Sequence, residues 1–183
     1  MIPVLFLDRD GIINLEKGYI SNIAEFEFTQ EIFAICRLFQ ANNYKIVIVT
    51  NQSGIGRGII QVQEFHKMTA WMLDKFKEHN IRIEIVMASA LNPEISNPST
   101  YELQRRKPNP GLFNDAKEII SIDIEKSVMI GDNLTDGYAA AAAGLSKIFI
   151  VNKKHFSNQV FCCFNSLSDL SEQIIDIMGF SKI

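Results

Sequence analysis

Residues 4 to 14 read VLFLDRDGIIN. An apolar, strand-like run ends in two carboxylates one residue apart, Asp8 and Asp10, with a glycine after them. Asp132 follows another apolar run in SVMIGDNLTD, and Asp136 stands four residues further on. Thr50 closes the run KIVIVT, and Lys107 precedes a proline. Three or more carboxylates sharing one pocket repel, and some take up protons unless a cation intervenes. Oxygen donors without His or Cys suit Mg2+ rather than zinc, and Mg2+ keeps waters and readily takes substrate phosphate as a ligand. Lys107, the Thr50 hydroxyl and the backbone amides after each strand are suited to phosphate oxygens. A carboxylate beside Mg2+ and a phosphate can be a nucleophile, giving an aspartyl-phosphate. A second one, two residues later, can protonate the leaving oxygen and then activate water.

Taken singly, each feature has a plainer reading. Asp-x-Asp is usually a solvated turn, Asp136 could merely favour a helix N-terminus, Lys107 could be a surface lysine and Thr50 a strand-end cap. Their order along the chain, each at the end of a strand or the start of a helix, favours the chemical reading over all four.

The elements that must position them alternate. Strands are expected at VLFLD, at 45–50, 81–87, 127–132 and 147–151. Helical spacing of apolar residues covers 30–41 and 61–79, the latter through Phe65, Met68, Met72 and Phe76. Asn109 and Pro110 open a helix whose apolar face is Leu112, Phe113, Ala116, Ile119 and Ile120. An Ala-rich helix ends at Gly144, VFCCF adds an edge strand, and 168–178 closes the chain as a helix. Fully apolar strands alternating with helices predict an α/β fold, a three-layer Rossmann-like parallel sheet with helices on both faces, in a single domain over 1–183. Ligands of such sheets bind beyond the carboxyl ends of the strands, where all the residues above gather. Residues 88–106 show no periodicity and read as a long loop of functional type.

Composition excludes several classes. The 183 residues carry a formal net charge of -3 and no basic stripe, which argues against nucleic acid as a partner. No apolar run is long enough to span a bilayer and no signal peptide is visible, so the chain reads as cytoplasmic with no membrane partner. Cys36, Cys162 and Cys163 form no disulfide or metal pattern, and His66, His79 and His155 have no metal or triad spacing. No exposed apolar stripe stands out, and a monomer is expected.

FLDRDGIIN, TNQSG, RRKP and IGDNLTD resemble the four ordered motifs of the haloacid dehalogenase superfamily of phosphatases. LDRDGIINLEKGYI, VTNQSGIGRG and RKPNPG are similar to the heptose bisphosphate phosphatases, close cousins of the histidinol-phosphate phosphatases. The likeness spans residues 4 to about 151. It implies a Mg2+-dependent phosphomonoesterase without a large cap domain, acting on a heptose 1,7-bisphosphate in nucleotide-heptose biosynthesis for lipopolysaccharide core or surface polysaccharide. Histidinol phosphate or another sugar phosphate is the alternative substrate. A silent relative that only binds a phospho-ligand is the alternative of another class, and the presence of both Asp8 and Asp10 speaks against it.

The resemblance also implies roles. Asp8 is nucleophile and metal ligand; Asp10 is the general acid/base, its backbone carbonyl a metal ligand. Thr50 and Asn51 contact the phosphoryl group, while Lys107 neutralises it and orients Asp8. Asp132 binds Mg2+, with Asp136 nearby, through water or as an orienting neighbour. Gln52, Ser53, Arg57 and Arg106 face the sugar or its second phosphate, and the segment LEKGYI is where further sugar contacts are expected. Many relatives pin the long loop with zinc. Here Ala88, Ala90, Leu103 and Arg105 stand at the ligand positions, so no structural zinc is expected. Packing of Leu91, Tyr101 and Leu103, with Pro93 and Pro98 restricting the backbone, must hold the loop instead.

Overall fold

The computed structural model describes residues 1–94, 97–152 and 160–181. Strands β1 (Val4–Leu7), β2 (Lys45–Asn51), β3 (Ile83–Ser89), β4 (Val128–Gly131), β5 (Lys147–Val151) and β6 (Cys162–Phe164) form one sheet in the order β3-β2-β1-β4-β5-β6. Every pairing is parallel. Helices α1 (Ile32–Ala41), α2 (Ser53–Gly56), α3 (Val62–Glu78), α4 (Thr100–Arg105), α5 (Gly111–Ile119), α6 (Leu134–Ala142) and α7 (Leu167–Met178) fill the connections.

The strands have no polar face because both faces are covered. Leu5, Leu7, Ile46, Ile48, Val128 and Ile130 point into one core with Ile35, Phe39, Met68, Met72, Phe76 and Ile174 from α1, α3 and α7. Val4, Phe6, Val47, Val49 and Met129 point into the other, against Leu112, Phe113, Ala139 and Ala140 from α5 and α6. Neighbouring residues of one strand therefore feed opposite cores, which explains the continuous apolar runs. β1 lies at the centre, between β2 and β4, so Asp8 emerges between the ends of those two strands.

Most expected elements form, and three differ in detail. β3 starts two residues later than expected and continues to Ser89, because its pairing with β2 runs to Asn51↔Ser89. α5 is capped at Pro110 and starts at Gly111. Ile119 does not join its apolar face; it is 64% exposed, and the chain turns extended at Ile120, whose side chain packs on the core instead. The edge strand expected in VFCCF pairs with β5 over Cys162–Phe164. His79 stacks on Phe33 with ring centroids 3.9 Å apart, and His155 lies outside the described residues.

The stretch 88–106 is not a continuous loop. Ser99 caps α4 by accepting from the Glu102 amide, while the Glu102 carboxylate accepts from the Ser99 amide. The pattern Ser-x-x-Glu marks such a capping box. Of the three apolar residues expected to pin the segment, Leu91 alone is buried; Tyr101 is 62% and Leu103 44% exposed. Polar clasps hold it: Arg57 pairs with both oxygens of Glu94 at 2.8 and 2.9 Å, Arg105 meets Asp115 at 2.7 Å, and Arg106 donates to the Leu91 carbonyl at 3.1 Å. Gly56 adds close packing, since a Cβ there would collide with the Ala90 carbonyl and the Asn92 amide. Ala88, Ala90 and Arg105 line a cavity of about 340 Å³ at this place. Among the described residues no helix is long and apolar enough to cross a membrane.

Candidate active site

The carboxyl ends of β1, β2 and β4 enclose a cavity of about 440 Å³. Asp8, Asp10, Asn51, Gln52, Ser53, Arg106, Lys107, Asp132 and Asp136 all line it, so most residues singled out in the sequence meet here. Arg57 does not line it, because Glu94 engages its guanidinium. Thr50 lies behind the wall, 1% exposed, its hydroxyl accepting from the Gln52 amide at 2.9 Å. From LEKGYI, the residues Glu16, Gly18 and Tyr19 reach the cavity, as do Asn133 and Thr135 of the α6 entrance.

Asp8 leaves β1 as its amide donates to the Ile130 carbonyl, which fixes it against β4. Oδ1 of Asp8 takes two donors, the Arg9 amide at 2.7 Å and Lys107 Nζ at 2.9 Å. Oδ2 accepts no hydrogen bond among the described residues and is the oxygen left for a ligand. Burial pushes the Asp8 carboxyl up to about 7; the Asp136 charge adds to the rise, and Lys107 opposes it. Asp132 is pushed up to about 8, again by burial first and then by Asp8 and Asp136.

Lys107 is 2% exposed, and a buried ammonium needs acceptors. It has three: the Val49 carbonyl at 2.9 Å, Asp8 Oδ1 at 2.9 Å and Asp136 Oδ1 at 2.6 Å. Burial favours its neutral form, but the two carboxylates outweigh it and hold the amine charged, well above the ordinary lysine range. The Val49 contact is a hydrogen bond, and the two carboxylate contacts are ion pairs. The lysine backbone is held as firmly. Asn51 donates to the Lys107 carbonyl at 3.0 Å and accepts from its amide at 3.1 Å, a two-point clamp between residues 56 apart in sequence. Asn51 therefore fixes the lysine as well as lining the cavity, a role with no local signal in the sequence.

Asp136 is 1% exposed; Oδ1 forms an ion pair with Lys107, and Oδ2 accepts from the Asn133 amide at 3.0 Å, where it closes the capping box of α6. Gly131 allows this approach, since a Cβ there would lie 2.5 Å from Asp136. Gly11 does the same for Asp132. It adopts φ +81, and a Cβ on it would lie 2.5 Å from Asp132 Oδ2.

Asp8, Asp132 and Asp136 offer oxygens within 4.8 Å of one another, an all-oxygen set that fits Mg2+. The need for a cation follows from charge. Five carboxylates, including Glu16, line the cavity against three cations, Arg9, Arg106 and Lys107. A phosphate ester would enter an acidic pocket unless a divalent ion balanced it. Asp136 Oδ1 is ion-paired with Lys107 and Oδ2 accepts from the Asn133 amide, so Asp8 and Asp132 are the carboxylates more open to a metal.

A parallel sheet with an acidic pair after β1, a hydroxyl near the end of β2, a buried lysine before α5 and carboxylates after β4 is the arrangement of a haloacid dehalogenase-like hydrolase. A HAD-hydrolase-like family model matches residues 104–158. The chain is 37% identical over 166 residues to the D-glycero-alpha-D-manno-heptose-1,7-bisphosphate 7-phosphatase of Campylobacter jejuni, covering 91% of this chain and 92% of the relative. It is 36% identical over 159 residues to the beta-anomer 7-phosphatase of Vibrio cholerae, covering 86% of each. Among solved structures, a HAD-like phosphatase from Mesorhizobium loti superposes with a TM-score of 0.82 at 28% identity, over 100% of this chain and 88% of the other. The D,D-heptose 1,7-bisphosphate phosphatase of B. bronchiseptica, solved with magnesium and phosphate, has the same fold, with a TM-score of 0.81 at 23% identity over 96% and 99%. The chain belongs to the D-glycero-D-manno-heptose-1,7-bisphosphate 7-phosphatase family of HAD phosphatases.

Proposed function

We propose that the protein hydrolyses the 7-phosphate of D-glycero-D-manno-heptose 1,7-bisphosphate through an aspartyl-phosphate on Asp8. The observation that carries this reading is the state of Asp8: one oxygen is locked by Lys107 and the Arg9 amide, while the other faces the cavity unengaged. A nucleophile needs such orientation with one free lone pair.

Asp8 Oδ2 attacks phosphorus, and the bond to the sugar oxygen breaks as that oxygen takes a proton from the Asp10 carboxyl. Asp10, now ionised, removes a proton from water as the water attacks the aspartyl-phosphate. Inorganic phosphate leaves, and Asp8 and Asp10 return to their starting states. Lys107 stays beside Asp8 throughout and offsets the charge that builds on the phosphoryl group. Thr50 lies behind the cavity wall, where its Oγ1 accepts from the Gln52 side chain and so backs the residue that lines the cavity. Mg2+, held by Asp8, Asp132 and the Asp10 carbonyl, would balance the carboxylates and draw charge from the phosphoryl oxygens.

Arg106 lines the outer cavity near Tyr19 and is the cation suited to a second phosphate. Arg57 could join it only by leaving Glu94. The test is phosphate release from both anomers of the bisphosphate, heptose 7-phosphate and histidinol phosphate, each with Mg2+. The reading expects the highest kcat/KM on one bisphosphate anomer. Preference for histidinol phosphate would overturn the substrate assignment and leave the chemistry standing.

A further inference from the structure

Gln52 was expected to face the sugar, yet its side chain is 3% exposed and engaged elsewhere. Nε2 donates to Asp10 Oδ2 at 2.8 Å and to Thr50 Oγ1 at 2.9 Å. This orientation suits ionised Asp10, since a carboxylate accepts from an amide N–H and would be repelled by an amide carbonyl oxygen. The Gln52 amide in turn donates to the Ser89 carbonyl at 2.7 Å, anchoring the residue to β3.

The other side of Asp10 is held too. Asn14 Nδ2 donates to Oδ1 at 3.0 Å, and the Arg9 guanidinium reaches Oδ1 and Oδ2 at 2.7 and 2.8 Å. Arg9 is 3% exposed and Asn14 is fully buried. Arg9 and Asn14 are bound to Asp10 through the local turn, for Asn14 and Asp10 also form a backbone bridge. Gln52 is different, since it ties Asp10 to β2, the strand that carries Thr50.

We propose that Gln52 is a positioning residue for proton transfer: its side-chain amide ties the Asp10 carboxyl to Thr50 near the end of β2, and hence fixes it relative to Asp8 at the end of the neighbouring strand β1. This rests on the acid/base reading of Asp10 given above. A misplaced Asp10 costs most when the leaving oxygen must be protonated. An alkoxide leaving from a sugar needs that proton; p-nitrophenolate does not.

Gln52→Met keeps the length of the side chain and removes both donors. The test compares single-turnover phosphorylation by heptose bisphosphate and by p-nitrophenyl phosphate, in Gln52→Met, in Asp10→Asn and in the double variant. Loss on the sugar ester should exceed loss on the aryl ester by about ten-fold or more. The two substitutions should be non-additive, with Gln52→Met having little effect once Asp10 is Asn. Gln52→Asn, one methylene short but still a donor, should fall between wild type and Gln52→Met, and it serves if the Met variant does not fold. Equal loss on both esters, or a rise in KM on the sugar with kcat unchanged, would overturn the proposal. If Asp10→Asn itself shows no preference for the aryl ester, the acid/base reading has failed and the proposal falls with it, a result distinct from failure at Gln52 alone.

Discussion

The Lys107 ammonium lies 2.6 Å from Asp136 and 2.9 Å from Asp8, so the lysine paired with Asp8 is itself held by a carboxylate on α6. Asp136→Asn keeps an oxygen for the Asn133 amide and removes the charge that anchors Lys107. Loss of such supporting groups typically costs 10–100-fold, and kcat should fall by about that factor with the circular dichroism spectrum unchanged. An unchanged kcat would mean that Asp8 and the Val49 carbonyl suffice to set the lysine.

The raised carboxyls make stability depend on pH. Asp8 and Asp132 ionise near 3.8 when unfolded and near 7 and 8 in the folded, metal-free chain. The folded state therefore binds more protons across that window. Their stabilising contribution is full below the unfolded value and is lost as pH rises through the folded values. Mg2+ requires both ionised, so its binding should release protons, and the Tm gain it brings should grow between about pH 6 and about pH 9. Calorimetry in buffers of different ionisation enthalpy measures the protons. A Tm gain that is flat across the window would contradict the burial of these charges.

Gly11 is the turn that lets β1 deliver Asp8 and Asp10 while leaving room for Asp132. Gly11→Ala places a methyl 2.5 Å from Asp132 Oδ2 and forces a side chain into the left-handed region, which costs about 1–2 kcal/mol by itself. The variant should lose Mg2+ affinity as well as stability, read by Mg2+ titration of Tm. Loss of stability with unaltered Mg2+ affinity would show that Asp132 is free to move aside.

How far the sequence could be read depended on the range of the interactions. The buried strands and the position of Asp8, Asp10 and Asp132 beyond them follow from apolar runs that stop at charged residues, a local pattern. The α4 helix carries a local signal too, the capping spacing of Ser99 and Glu102, but six residues are too few for apolar periodicity to support it. Gln52 and Asn51 were another matter. Their partners Asp10 and Lys107 lie 42 and 56 residues away, and no pattern along the chain says which polar group meets which across the strand ends. The ties of Leu91, Glu94 and α4 are non-local in the same way: Tyr101 and Leu103 are exposed, while Arg57, Arg105 and Arg106 make the contacts.

The central claim is that Asp8 carries the phosphoryl group. The most direct measurement uses Asp10→Asn, which can still accept phosphate from p-nitrophenyl phosphate but cannot activate water, quenched in acid with Mg2+ present and mapped by peptide mass spectrometry. Stoichiometric phosphate is expected on the peptide containing Asp8, and none when Asp8→Asn is added. Phosphate on any other residue, or turnover retained by Asp8→Asn, would contradict it.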